Sequence, residues 1–216
     1  MKKSLCFLTL TAVFGGSAYA QEGVPKFEAT GDYSYMQFNP TITGLQSRAY
    51  NGGGGQGQFN FNRYFGIKGD FQGYGSSSWT YNVTSPIGTS AGIIPIGKYT
   101  TRANMFTYMF GPVVGVHASR FTVFSEVLFG GSHTSGYIDL ENQVIAGGGK
   151  LSKNPDQHPF TMAFGGGVDL NAGKHVAIRL GEMDYVLTRY TNPLTSTNNQ
   201  NNFRYLGGVI FRFGGE

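Results

Sequence analysis

Apolar and polar residues alternate with a period of two along most of this chain, and residues 203–213 show the pattern best. Odd positions there read Phe203, Tyr205, Gly207, Val209, Phe211 and Phe213, while the even positions include Arg204 and Arg212. Successive side chains of a strand point to opposite faces, so this run predicts a strand with one aromatic face and one cationic face. Five other segments repeat it. Residues 26–38 set Phe27, Ala29, Gly31, Tyr33 and Tyr35 against Glu28, Thr30, Asp32 and Ser34. The glycine-rich segment 49–61 keeps Phe59 and Phe61 in step with Gly53, Gly55 and Gly57. Residues 64–74 set Phe65, Ile67, Gly69 and Phe71 against Lys68, Asp70 and Gln72. Residues 121–131 set Phe121, Val123, Val127 and Phe129 against Thr122 and Glu126. Residues 159–171 set Phe160, Met162, Phe164, Val168 and Leu170 against Thr161, Ala163 and Asp169.

Two segments are less regular. In 99–116, Phe106, Tyr108 and Phe110 alternate with Met105 and Met109, and Gly111-Pro112 interrupts, so either face assignment stays open. In 175–189, Val176, Ile178 and Leu180 point one way and Arg179 the other, but Glu182 and Asp184 then fall in the apolar phase. A bulge near Gly181 would restore the parity, because one extra residue exchanges the two faces.

The connections alternate in length. Residues 62–63, 117–120 and 171–174 are short, whereas 39–48, 75–98, 132–158 and 190–202 are long. Short turns at one end and long loops at the other, joining segments long enough for the ~9–11 tilted residues that cross a bilayer, are the rhythm of a membrane barrel.

The N-terminus changes the setting. Lys2 and Lys3 precede a short apolar core, Leu5 to Phe14, and Ala18-Tyr19-Ala20 offers a small-x-small cleavage site. This is the pattern of a secretory signal peptide over 1–20, leaving one domain over 21–216. The only cysteine, Cys6, lies within it, so the exported chain carries no disulfide or thiol chemistry. Without Lys2 and Lys3 the formal charge falls from +4 to +2, and only 13% of residues are charged, which excludes a nucleic-acid surface. A mean hydropathy of -0.19 is compatible with a membrane barrel, since only every second strand residue meets lipid.

In hydrocarbon each unpaired backbone group costs several kcal/mol, so a sheet can span a membrane only by closing on itself. The expectation is an all-β fold, a closed eight-stranded antiparallel up-and-down transmembrane β-barrel. At eight strands the interior is about filled by side chains. It would receive Glu28, Asp32, Lys68, Asp70, Glu126, Asp169, Arg179, Arg204 and Arg212, five acids and four bases that can pair as an ionic core. Tyr33, Tyr35, Tyr64, Tyr74, Tyr99, Phe121, Tyr185, Tyr205 and Phe213 fall near predicted strand ends, where amphipathic rings suit the headgroup level.

With signal, rhythm and aromatic last strand together, the chain resembles the small outer-membrane barrel superfamily of OmpA-transmembrane-domain and OmpX-like proteins. The resemblance covers essentially the whole exported chain. It rests also on residues 60–66 (Asn-Phe-Asn-Arg-Tyr-Phe-Gly) as a periplasmic turn, and on 106–112 (Phe-Thr-Tyr-Met-Phe-Gly-Pro) and 128–131 (Leu-Phe-Gly-Gly) as recurring barrel segments. It implies the outer membrane of a Gram-negative-type bacterium, with outer-membrane lipid and lipopolysaccharide around the barrel. It also implies periplasmic chaperones and the barrel-assembly machinery as partners, the latter reading Tyr205, Val209, Phe211 and Phe213. Here Phe213 is followed by Gly214-Gly215-Glu216, a departure from the family's terminal aromatic residue. No cell-wall-binding domain is expected, so a tether role is not.

Candidate chemistry is sparse. His133, Ser135 and Glu141 resemble the His–Ser–Glu set of outer-membrane lipid A deacylases, in which a base activates the serine hydroxyl. His117, in a short turn, and His158, beside Pro159, read as solvated, His175 as the start of a strand or a turn residue, and no two histidines are spaced as metal ligands. The Gly52–Gly55 and Gly147–Gly149 runs lack the Lys-Ser/Thr of a phosphate loop and read as a bent strand and a mobile loop. No cofactor is expected. The expected role is structural, or surface recognition of host or other ligands through loops 75–98, 132–158 and 190–202. The alternatives are a lipid A-modifying enzyme and a narrow ion pore. A soluble ligand-carrying barrel would need the opposite polarity, greasy inside and charged outside.

Overall fold

The structure, a computed structural model, describes residues 24–39, 47–89, 92–134, 137–151, 158–189 and 199–215. The signal segment read at 1–20 lies outside the described residues, as does most of the 39–48 and 190–202 links. In chain order the elements are β1 (Phe27–Phe38), β2 (Arg48–Asn60), β3 (Phe65–Val83), β4 (Ile87–Thr89), β5 (Gly92–Ile94), β6 (Gly97–His117), β7 (Phe121–Thr134), α1 (Tyr137–Ala146), β8 (Lys150–Leu151), β9 (Phe160–Asn171), β10 (Val176–Arg189) and β11 (Asn199–Phe213).

Eight of these strands close into a barrel in the order β1-β11-β10-β9-β7-β6-β3-β2, every neighbour antiparallel. Closure is made by β1 against β11, from Phe27↔Phe213 to Gln37↔Phe203. No barrel strand is left with an unpaired edge, which meets the demand of a lipid solvent.

The polarity is that of a membrane protein. Phe71, Phe164, Ile178, Leu180 and Phe211 each expose more than 40% of their surface on the outer wall, while Lys68, Asp70, Glu126 and Arg204 expose 2% or less inside. A soluble sheet would reverse that assignment, so hydrocarbon is the medium that solvates the outer wall. Outer rings pack on one another across strands, Phe71 edge-on to Phe110 at 5.2 Å and Phe27 tilted against Phe213 at 6.2 Å.

Register decides what periodicity left open. On β6, Phe106, Tyr108 and Phe110 face outward, and Met105 and Met109 are buried inside. On β10 the pairing shifts between Arg179 and Glu182 against β11, and between Arg179 and Gly181 against β9. The extra residue keeps Leu180 outside and turns Glu182 and Asp184 inward.

The long connection at 75–98 is corrected. β3 and β6 do not stop near the membrane but continue as a hairpin to Val83↔Gly97, with a register shift between Tyr74 and Ser77. In this extension Ser76, Ser77, Ser78 and Thr80 follow one another, so its sequence lacks the alternation that one-sided contact with lipid imposes. Beside it, β4, β5 and β8 make a small three-stranded sheet, and α1 occupies part of the 132–158 connection. Val144 of α1 is buried against Ile94 and Tyr99, and Gln143 accepts a hydrogen bond at 2.8 Å from the Thr100 backbone NH. Gly147–Gly149 is therefore a helix stop rather than a mobile loop. Gly148 takes φ +83, and the Gly149 NH returns to the Val144 carbonyl at 2.9 Å. Tyr99 belongs to this cap and Tyr74, 2% exposed, to the barrel interior, so neither joins the aromatic girdle.

Candidate functional site

The interior of the barrel holds the densest chemistry among the described residues. Inward positions of β3, β7, β9, β10 and β11 bring Lys68, Asp70, Glu126, Asp169, Arg179, Glu182, Asp184 and Arg204 into one connected cluster. Glu182 is its hub. Its carboxylate lies 2.6 Å from Arg179 Nη1, 3.3 Å from Lys68 Nζ and 3.8 Å from Arg204 Nη2. Lys68 also pairs with Glu126, and Arg179 with Asp169 at 2.9 Å. Arg204 bridges Asp70 and Asp184, each at 2.7 Å. Gln56 ties the parts together. Its amide donates to Asp70 at 3.0 Å and to Glu182 at 2.9 Å, and its carbonyl accepts from Arg179.

Two of these cations crowd Phe124. Lys68 Nζ stands 4.2 Å from the ring centre and the Arg179 guanidinium 4.6 Å, so the aromatic face carries part of the charge density of both. Nearer the end that carries the short turns, Arg212 pairs with Glu28 at 3.0 Å and donates to Asn171 at 2.6 Å. Toward the other end two apolar clusters join buried polar side chains such as Thr107, Ser132, Thr134 and Asn202. Met36, Phe38, Tyr50, Tyr74 and Met105 form one buried cluster, and Met109, Leu128, Ala163 and Val186 another.

Asp32 departs from the interior ionic network expected of it. It points inward but makes no ion pair among the described residues, because its cross-strand neighbours are Gly54 and Gly208, which carry no side chain. With Glu182 and Asp184 added, the interior holds, among the described residues, seven acids (Glu28, Asp32, Asp70, Glu126, Asp169, Glu182, Asp184) against five bases (Lys68, Arg179, Arg204, Arg212 and, at the far end of β2, Arg48). An unpaired carboxylate in such a field opposes folding, so Asp32→Asn is expected to leave stability unchanged or raise it by about 1 kcal/mol. A lower midpoint in urea unfolding from micelles would contradict that reading. Glu126, Glu182 and Asp184 could bring three oxygens within 4.8 Å of one another around a cation. Lys68 and Arg204 already stand at those carboxylates.

The other predicted residues are scattered. Of the deacylase-like set, Ser135 lies outside the described residues, and so does the side chain of Glu141. His133 sits on the outward side of β7, opposite Phe106, and its ring stacks on that of His158 at 4.6 Å. His158 is thus a ring partner and not only a solvated residue. His117 is half-buried, with Nδ1 3.0 Å from the Arg63 carbonyl of the neighbouring turn, a tie that a solvated histidine would lack. On β11, Val209, Phe211 and Phe213 face outward beside the closing seam, and the Tyr205 hydroxyl donates to the Leu180 carbonyl at 2.8 Å.

The family model for the outer membrane protein beta-barrel domain matches residues 6–213. The chain belongs to that family. It resides in the outer membrane of a Gram-negative cell, as the inverted polarity of its wall requires. Among solved structures, Neisserial surface protein A (NspA) resembles this family member at a TM-score of 0.55 and 11% identity, covering 87% of this chain and 97% of that one. OprG from Pseudomonas aeruginosa does so at 0.55 and 11%, covering 89% and 97%. Ail from Yersinia pestis, also solved with the heparin analogue sucrose octasulfate, matches at 0.46 and 13% in that complex, covering 87% and 99%. No curated protein matches the chain. At these identities the likeness is one of fold.

Sequence reading missed Glu182, Asp184, Gln56 and Phe124 as members of the family barrel's interior cluster. The two acids were obscured by the bulge, and the bulge itself was the available signal. Gln56 stands in a glycine-rich strand, and Phe124 occupies an inward position where a polar residue is the usual expectation.

Proposed function

We propose that this protein is a closed outer-membrane scaffold whose work is done by its outer loops, as an envelope component and a surface-recognition module. One observation carries this reading: the lumen is filled at two levels, while β3 and β6 run far past the bilayer to hold a built cap. The two strands have 19 and 21 residues, against the ~9–11 that crossing requires. A hairpin of that length, braced by α1 and the small sheet, presents a rigid surface. The Arg204–Asp70, Lys68–Glu126 and Arg179–Asp169 pairs that cross the lumen support a closed tube. The short turns all lie at the other end, so the exported chain enters from the periplasm and the cap stands outside.

Two measurements test this. Purified protein in a planar bilayer is expected to give no stepwise conductance above the lipid background. Thr80 is exposed on the hairpin, and Thr80→Cys is expected to react with a membrane-impermeant maleimide on intact cells. Steady single-channel openings would remove the closed-scaffold reading, and labelling only after cell lysis would remove the orientation.

A further inference from the structure

Three nitrogen-bearing side chains, two histidines and an arginine, stand on neighbouring strands of the outer wall above its rings and aliphatics. His133 lies opposite Phe106, and its neighbours Ser132 and Thr134 are buried inside, so the imidazole is on the lipid side. Phe160 pairs with Gly131 on one flank and with Arg189 on the other. Two residues beyond Phe160, His158 comes alongside His133, and the two rings stack at 4.6 Å. Arg189 is exposed on the same outer face and makes no ion pair among the described residues.

Their height is shared. From the periplasmic ends of the strands, His133 is 133 − 121 = 12 residues up β7, and Arg189 is 189 − 176 = 13 up β10. His158 is 170 − 158 = 12 residues beyond Leu170, the β9 partner of Phe121. At ~3.3 Å per residue and a strand tilt of ~40°, each lies roughly 30 Å above that end. The apolar band of such barrels is about 25 Å tall, so all three stand at the level of the outer-leaflet headgroups.

The nitrogen atoms favour an anion over a metal. His133 Nδ1 is shielded from solvent and has no hydrogen-bond partner. A buried N–H without an acceptor is costlier than an acceptor without a donor, which puts the proton on Nε2, at the ring edge left to the outside. An Nε2–H donor, with a guanidinium two strands away that makes no ion pair among the described residues, suits the several oxygens of a phosphate. A metal would need the Nε2 lone pair and hence a stranded Nδ1–H.

We propose that His133, His158 and Arg189 form a binding site on the outer rim for a phosphate of lipopolysaccharide, the anionic lipid of the outer leaflet. The site depends on the outward orientation argued above for its place in the cell, but not for its affinity, which can be read in micelles.

The probe is diphosphoryl lipid A, added to the folded protein in zwitterionic detergent, with binding followed by the nitrogen-15 signals of the histidine rings. Expected results are a His133 ring protonated at Nε2, saturable shifts at His133 and His158, and affinity at least 10-fold lower for lipid A stripped of both phosphates. Arg189→Gln is expected to weaken binding at least 10-fold and Arg189→Lys less, with heat-modifiable folding kept in both. The double variant His133→Phe with His158→Phe is expected to lose the same factor. Equal affinity for the dephosphorylated lipid, or unchanged affinity in Arg189→Gln, would overturn the proposal. So would an Nδ1–H tautomer whose signals respond to zinc and not to lipid A. Equivalent shifts from inorganic phosphate at the same concentration would overturn the assignment to a lipid.

Discussion

Arg204→Ala is expected to lower the unfolding free energy by about 3–5 kcal/mol, the cost of leaving buried charges without their partner. No other side chain of the cluster bridges two carboxylates from opposite sides so closely, at 2.7 Å to Asp70 and 2.7 Å to Asp184, with none of its surface exposed. Its loss leaves seven interior acids facing four bases among the described residues. The attraction that held them becomes mutual repulsion in a medium of low permittivity. Removing the hub acid works the other way. Glu182→Gln takes one charge from the side in excess and keeps a hydrogen-bonding head for Arg179 and Gln56, so its effect is expected to be the smaller of the two. Arg204→Lys should recover part of the loss, since the charge returns without the forked geometry that grips two carboxylates. Urea unfolding in micelles, followed by the heat-modifiable band, measures all three. A smaller effect for Arg204→Ala than for Glu182→Gln would show that the acid excess is not what Arg204 compensates.

The second large effect is steric. At Gly130 an added methyl carbon would lie 1.9 Å from the Tyr108 carbonyl oxygen and 2.8 Å from the Met109 Cα, both backbone atoms of β6. Neither can rotate away, so Gly130→Ala must part β7 from β6 beside Met109, within one of the apolar clusters that close the lumen. Overpacking of this kind costs about 1–3 kcal/mol, and more where a backbone pair must shift. Gly31 on β1 is the internal control. An added methyl there meets nothing within 4 Å, so Gly31→Ala is expected to be neutral or to stabilise by about 0.5 kcal/mol through the lost freedom of the unfolded chain. If both alanine variants unfolded at the same urea concentration, strand separation at Gly130 would not be the governing cost.

Both effects depend on features that differ in how visible they are from the chain itself. Arg204 and Arg212 stand out because lipid lies against one face of β11 along its whole membrane-spanning length, and greasy partners at 203, 205, 209, 211 and 213 mark the arginines as inward. The same reasoning reads β1, β3, β7 and β9. It fails where the solvent stops being one-sided. Past the membrane-spanning part, β3 and β6 are no longer flanked by lipid on one face, and their continuation to Val83 and Gly97 leaves no alternation to read. It fails also on β6 within the membrane, where Met105 and Met109 are as apolar as the rings beside them and only cross-strand register separates the two faces.

What the amino-acid order determined by itself is a closed barrel in a lipid solvent, with aromatic residues outside and most of the charges inside, because a two-residue period is a local property of each strand. Which charges meet was decided by the tertiary structure. Arg204 reaches Asp70 across 134 positions of chain, and Glu182 enters the cluster only through the bulge after Arg179. Pairing around a barrel follows from closure and shear, which fix every strand relative to all the others, and no single strand carries that information.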